Sequence, residues 1–201
     1  MGYTYKQLTD RTASRSDMSM YLTHLTKGTD KLSSLDVLFK IINEQRIKGS
    51  DGSGFVIGDN TAACFQDAPL SGISQNVIHE RRYRDTLGSK IRYEPFGISF
   101  SKRYIYKKGG RPCVYEDKET AKTLLQPSEW WRIVNYNLSD NSNIVDWTHE
   151  REWRVKGDFS FDLKHATILV PHDKEYRDFI SRVDKELISK LQGIVVLSRT
   201  V

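Results

Sequence analysis

Glu150 and Glu152 stand two residues apart in the run DWTHEREWRVKGDF (Asp146–Phe159), with Lys156 and Asp158 close behind. Paired carboxylates beside a lysine are the parts of a magnesium-dependent nuclease, in which acids hold the metal and the lysine positions the attacking water. No third acid at a clear ligand spacing completes that set. Trp153 and Val155 give the run a β-strand character. Glu150, Glu152 and Arg154 then fall on one face, and Arg151, Trp153 and Val155 on the other. With Trp153 packed on a core, both acids aim at a cleft or at solvent. The plain alternative is a solvated strand whose Glu and Arg side chains pair locally and contribute little.

The elements that must position these residues come from a chain of 201 residues, 38% of them hydrophobic. That suffices for one well-buried core, so the expectation is a single domain over 18–201 behind a flexible N-terminal segment, 1–17. No apolar run approaches about 18 residues and no charged-then-apolar leader follows Met1, which implies a cytoplasmic protein with no membrane partner. Cys64 and Cys113 are too few for a disulfide framework and lack zinc spacing, so both are expected as reduced, buried thiols.

The net charge of +5 is unevenly placed: between His79 and Arg111 ten Lys or Arg stand against three acids, +7, leaving −2 for the remainder. Within that segment Lys102, Arg103, Lys107, Lys108 and Arg111 alternate with Tyr104 and Tyr106, and Tyr83 and Tyr93 lie upstream. Clustered cations among aromatic rings suit a polyanion whose bases can stack. A solvated basic loop is the competing reading.

Met18–Thr26 alternates and reads as the first strand, and Ser33 or Ser34 caps a helix with Leu35, Leu38, Phe39, Ile41 and Ile42 in one stripe. The glycine-rich Gly49–Gly54 ends that helix as a turn; without a following Lys-Ser/Thr it is no phosphate loop. Thr61–Phe65, Phe96–Phe100, Pro112–Tyr115, Thr167–Val170 and Ile194–Leu197 read as strands. Gln75–Tyr83 reads as a short exposed helix, Asp117–Asn137 as a helix interrupted at Pro127, and the stretch from an N-cap at Asp173 to Leu191 as one helix. Strands dispersed among helices without βαβ alternation give an α+β fold.

Four stretches in this order resemble the DarT-like ADP-ribosyltransferases and the AbiGi-type proteins of bacterial phage defence. They are His24-Leu25-Thr26, Glu80-Arg81-Arg82-Tyr83-Arg84, Glu94–Phe100 followed by Arg111–Tyr115, and Glu150–Val155. The resemblance implies an ADP-ribosyltransferase-like domain whose mixed sheets form an NAD cleft flanked by helices. Glu152 is then the acid beside the ribose, where bond breaking passes through an oxocarbenium-like state, the charge problem that glycosidases solve with carboxylates. It also implies His24 and Thr26 as NAD-binding residues and Arg81 or Arg82 as a clamp on pyrophosphate. Phe96 is implied at the floor of the nicotinamide pocket, with Glu150 beside the catalytic acid. FGISF is less aromatic than the family's strand, and the Tyr104–Gly110 connection is longer and more basic. The acceptor implied is a single-stranded nucleic acid, RNA slightly ahead of DNA. An antitoxin or regulatory partner, or a catalytically silent binding protein on the same fold, remains open at this stage.

Overall fold

A computed structural model describes residues 2–52, 55–85 and 94–200. Along the chain these form α1 (Tyr5–Ala13), β1 (Tyr21–Leu25), α2 (Ser34–Glu44), β2 (Arg46–Ile47), β3 (Ala62–Gln66) and α3 (Leu70–Arg82). Next come β4 (Gly97–Ser101), α4 (Lys102–Lys107), β5 (Arg111–Pro112), β6 (Val114–Glu116), α5 (Lys118–Leu124) and β7 (Ile133–Asn135). The last are β8 (Glu152–Lys156), β9 (Phe159–Ser160), β10 (Thr167–Val170), α6 (Asp173–Arg182), α7 (Lys185–Lys190) and β11 (Gly193–Val196). The architecture is mixed α and β, in keeping with α+β, and among the described residues no helix is long and apolar enough to cross a membrane.

The chain divides into two compact units, one of Met1–Gln45, Ala68–Ser101 and Phe161–Val201, the other of Arg46–Asp67 and Lys102–Ser160. In the first, the strands run β11-β10-β4-β1. β10 and β11 are parallel, while β10 with β4 and β4 with β1 are antiparallel. From Gly97 to Phe100 every residue of β4 is buried, as expected of a strand covered on both faces. A Cβ at Gly97 would stand 2.6 Å from the His24 carbonyl oxygen, so this close approach of β4 to β1 requires glycine. Ser33 and Asp36 form a capping box at the start of α2, and the stripe Leu35, Leu38, Ile41 and Ile42 is buried. Phe39, the fifth of that stripe, stacks on Phe179 of α6 at 5.3 Å instead of entering the core fully.

In the second unit β8 lies between β3 and β5, antiparallel to both. The pairs β2–β9 and β6–β7 are antiparallel and parallel respectively. Val56, Ala62 and Trp131 form a buried cluster against which Cys64 packs.

Several boundaries differ from the sequence reading, each for a local reason. The N-terminal segment carries α1, because Thr4 and Gln7 make a capping box that starts a helix without apolar periodicity. α2 ends at Gln45 in the left-handed region (φ 47), ahead of Gly49. α3 begins at Leu70 and buries Ile73, Ser74 and Val77, so it is only half exposed. Beyond α5 the chain makes a 3-10 turn at Pro127–Arg132 and then β7, because the proline ends the α-helical hydrogen bonding. The cap of α6 is His172, and Asp184 starts a separate helix, α7. The basic connection contains α4, anchored by the buried Ile105.

Candidate active site

Glu152 opens β8, and its register follows from its neighbours: Gln66 of β3 lies opposite, and Cys113 N–H donates to the Glu152 carbonyl at 2.8 Å. Two residues on, Arg154 is 1% exposed and Glu152 8%. Glu152 and Arg154 are buried, and on the opposite face Val155 is buried as well while Trp153 is half-buried, so the strand is covered on both faces. The expectation that the acids face a cleft or solvent does not hold for Glu152. The cause is Arg154, whose guanidinium finds an acceptor for every hydrogen it carries. Nε donates to Glu152 Oε1 at 2.9 Å and Nη2 to Glu152 Oε2 at 3.1 Å. Nη1 donates to the Trp131 and Ile133 carbonyls at 2.8 and 3.0 Å, and Nη2 also to the Phe55 carbonyl at 3.3 Å. A guanidinium has five N–H donors, and an arginine with all five satisfied is the form of that residue that tolerates burial. Burial pulls the Arg154 pKa down, but Glu152, joined by the nearby Cys113 and Cys64, pulls the other way and the net shift is upward.

Around this pair the ionisable groups are neutral. Burial, then the Glu152 charge, pushes both the Cys64 and Cys113 thiols up. Burial likewise raises Tyr115, although the Glu152 N–H that its hydroxyl accepts at 2.6 Å works the other way. Glu152 thus lies among neutral thiols and a neutral phenol, clamped in one orientation by Arg154.

Glu150 does not share the strand face. It closes a 3-10 turn, Thr148–Glu150, and Arg151 follows in the left-handed region (φ 46), which breaks the strand alternation between the two acids. The Glu150 carbonyl accepts from Asp67 N–H at 3.1 Å. Among the described residues no group of three or more His, Cys, Asp or Glu side chains is placed to hold a metal ion.

In the first unit, His24 on β1 is half-buried opposite Ile98. Thr26 is buried, its N–H donating to the Phe96 carbonyl at 2.8 Å and its hydroxyl lying 3.0 Å from the Ser34 carbonyl and 3.2 Å from that of Phe96. The hydroxyl proton is spent on joining β1 to α2 and to the Phe96 backbone, which leaves only its lone pairs for a ligand. Arg81 and Arg82 are exposed in the last turn of α3, where their charge favours the helix C-terminus. Phe96 lines a cavity of about 880 Å³ between the 27–35 loop and residues 174–178 of α6. Asp30, Glu94, Glu175 and Asp178 outnumber Lys27 and Lys174 on its walls, and Glu94 is already bonded to Gly28 N–H and the Ser34 hydroxyl. That balance disfavours a pyrophosphate in this cavity.

Of the five candidate nucleic-acid cations, Lys102 pairs with Asp67 at 2.8 Å and Arg111 lies over the Tyr106 ring, donating to the Tyr106 and Gly110 carbonyls. Arg103, Lys107 and Lys108 are exposed on and just after α4, with Lys108 over Tyr104. Lys90, Arg92 and Tyr93 of the basic segment lie outside the described residues. Sequence reasoning placed Arg154 on the Glu152 face and weighed a local Glu–Arg pair only as a solvated one; it missed that the pair is buried. It also missed Phe55 and Trp147, whose rings lie 6.2 Å apart.

No protein-family model matches the chain, and neither a curated protein nor a solved structure matches it.

Proposed function

We propose that the protein is an NAD-dependent ADP-ribosyltransferase in which Glu152 stabilises the ribosyl cation and a single-stranded nucleic acid, RNA ahead of DNA, is the acceptor. The observation that carries this reading is the Glu152 carboxyl group itself, buried and held bidentate by an arginine with no hydrogen bond left to make. A preorganised anion in a low-dielectric site stabilises developing positive charge more than a hydrated one does. In the step proposed, the bond between C1′ and the nicotinamide nitrogen breaks with its electron pair leaving on nicotinamide. The acceptor atom attacks C1′, and its proton passes to Glu152 or to solvent. The exposed Arg103, Lys107 and Lys108 supply phosphate contacts in the same unit.

A second reading has its own support. Both Glu152 oxygens are occupied by Arg154, as they are in an ion pair that only builds a core, so a catalytically silent binding protein fits the same geometry. Nicotinamide release from NAD in the presence of oligonucleotide separates the two. Glu152→Gln is expected to lower release by about two to four orders of magnitude, the contribution of a positioned acid or base. Wild-type protein that releases no nicotinamide with RNA or DNA refutes the transferase.

A further inference from the structure

Phe55 is 78% exposed, an unusual place for a phenyl ring, and it is not alone. Its ring lies 6.2 Å from Trp147 at a tilt of 48°, and Trp147 lies 6.0 Å from the exposed His149 at 45°. These three rings form a row on the surface of the second unit, and two separate connections tie the backbone that carries it to the Glu152–Arg154 pair. At one end, the Phe55 carbonyl accepts from the same Arg154 Nη2 that holds Glu152 Oε2. At the other, Trp147 and His149 belong to the turn that leads through Glu150 and Arg151 into Glu152. That turn is stiffened before any ligand arrives, because Asp146 Oδ1 accepts from both the N–H and the hydroxyl of Thr148 at 2.9 and 2.6 Å.

We infer that Phe55, Trp147 and His149 form a stacking site for a planar heteroaromatic ring attached to ribose, held with the ribose towards Glu152. Aromatic faces attract such rings irrespective of sequence, whereas their surroundings here do not suit an apolar peptide. Asp146 and Glu150 flank Trp147 and His149 in the chain; an apolar peptide would desolvate them, whereas their carboxylates accept from the exocyclic amino or amide edge of a base. A row stiffened in advance loses little freedom on binding. The site rests on the reading of Glu152 given above, and it deepens that reading by naming what the ribose carries. The ring has two possible sources, the nicotinamide of the donor and a base of the acceptor strand.

Dissociation constants measured by calorimetry for wild type and Phe55→Ala test the site. The probes are nicotinamide mononucleotide, a ten-residue oligouridylate and ribose 5-phosphate. Because Phe55 projects into solvent, the substitution leaves the fold intact, and equal circular dichroism spectra check this. Losing one stack is expected to weaken the ring-bearing probe by about 5- to 100-fold, with Phe55→Tyr restoring it and ribose 5-phosphate unaffected. Weakening of nicotinamide mononucleotide alone assigns the donor ring, and weakening of the oligouridylate assigns an acceptor base. The inference is overturned if both ring-bearing probes bind Phe55→Ala as they bind wild type, or if neither binds wild type. Ring binding that depends on Phe55 without any nicotinamide release removes the transferase and leaves the stacking site standing. Release with an unchanged Phe55→Ala affinity does the opposite.

Discussion

Replacing Arg154 by methionine, a side chain of comparable length without charge, removes both guanidinium bonds that hold Glu152. Glu152, with a side chain only 10% exposed, is left as a nearly buried anion, and the Trp131, Ile133 and Phe55 carbonyls lose their donor. Breaking a buried pair by deleting one partner costs about 3–5 kcal/mol. Each carbonyl left dry adds about 1–3 kcal/mol, less where water enters. With all three dry a loss of about 6–14 kcal/mol follows, against a typical total of about 5–15 kcal/mol, so Arg154→Met sits at the edge of folding. Glu152→Gln keeps one acceptor for the guanidinium and loses one charge-assisted bond, about 1.5–3 kcal/mol. At about 2–4 °C per kcal/mol for a chain of this size, its Tm falls by about 3–12 °C. The double variant Glu152→Leu/Arg154→Met removes both charges together, and a buried pair replaced by apolar side chains is often neutral. Urea denaturation of wild type, Glu152→Leu, Arg154→Met and the double therefore gives a cycle whose coupling exceeds about 3 kcal/mol, with the double recovering much of what Arg154→Met loses. Additive costs, or an Arg154→Met variant within about 1 kcal/mol of wild type, refute the clamp described for β8.

Two further outcomes follow from the same geometry. Cys64 and Cys113, held above the ordinary thiol range by burial and then by the Glu152 charge, react slowly with iodoacetamide at pH 8. Glu152→Gln removes the second cause, so alkylation followed by mass spectrometry should run faster in that variant under native conditions. Asp36 is lowered to about 2, first by the Ser33 hydroxyl and then by Arg182. A carboxyl depressed in the folded state stabilises it above the unfolded value and loses that contribution as pH falls towards 2. Asp36→Asn should consequently flatten the pH dependence of Tm between about 4 and 2, measured by calorimetry in low salt, and an unchanged acid limb counts against the capping box.

α2 was the most legible element, because its cap, first-turn acid and apolar stripe all lie within a dozen residues. β4 was legible for the same kind of reason: FGISF is an uninterrupted run that only a strand covered on both faces would use. The orientation of β8 was not legible. Alternation gives two faces but not that both are covered, and the Glu152 and Arg154 face is buried because three carbonyls are brought to Arg154 from residues 55, 131 and 133. No local pattern announces those acceptors. The separation of Glu150 from Glu152 was hidden equally well, since it turns on a left-handed Arg151, a conformation that non-glycine residues seldom adopt. The ring row escaped because Phe55 and Trp147 are 92 positions apart in sequence (147 − 55) and meet only in the fold.

The acceptors around Arg154 also bear on how the chain reaches its native state. A guanidinium surrenders its hydration only when replacement acceptors are in place, and here these come from segments about residues 55, 132 and 152. Each contact made singly would strip water from a charge without full compensation, so the set is expected to form together and after the folding barrier, with a φ value near zero at Arg154 as the check. Interactions absent from the folding barrier slow unfolding without speeding folding. This one cation therefore acts as a latch on the lifetime of the folded unit, and its kinetic signature is an unfolding rate far more sensitive to Arg154 than the folding rate is.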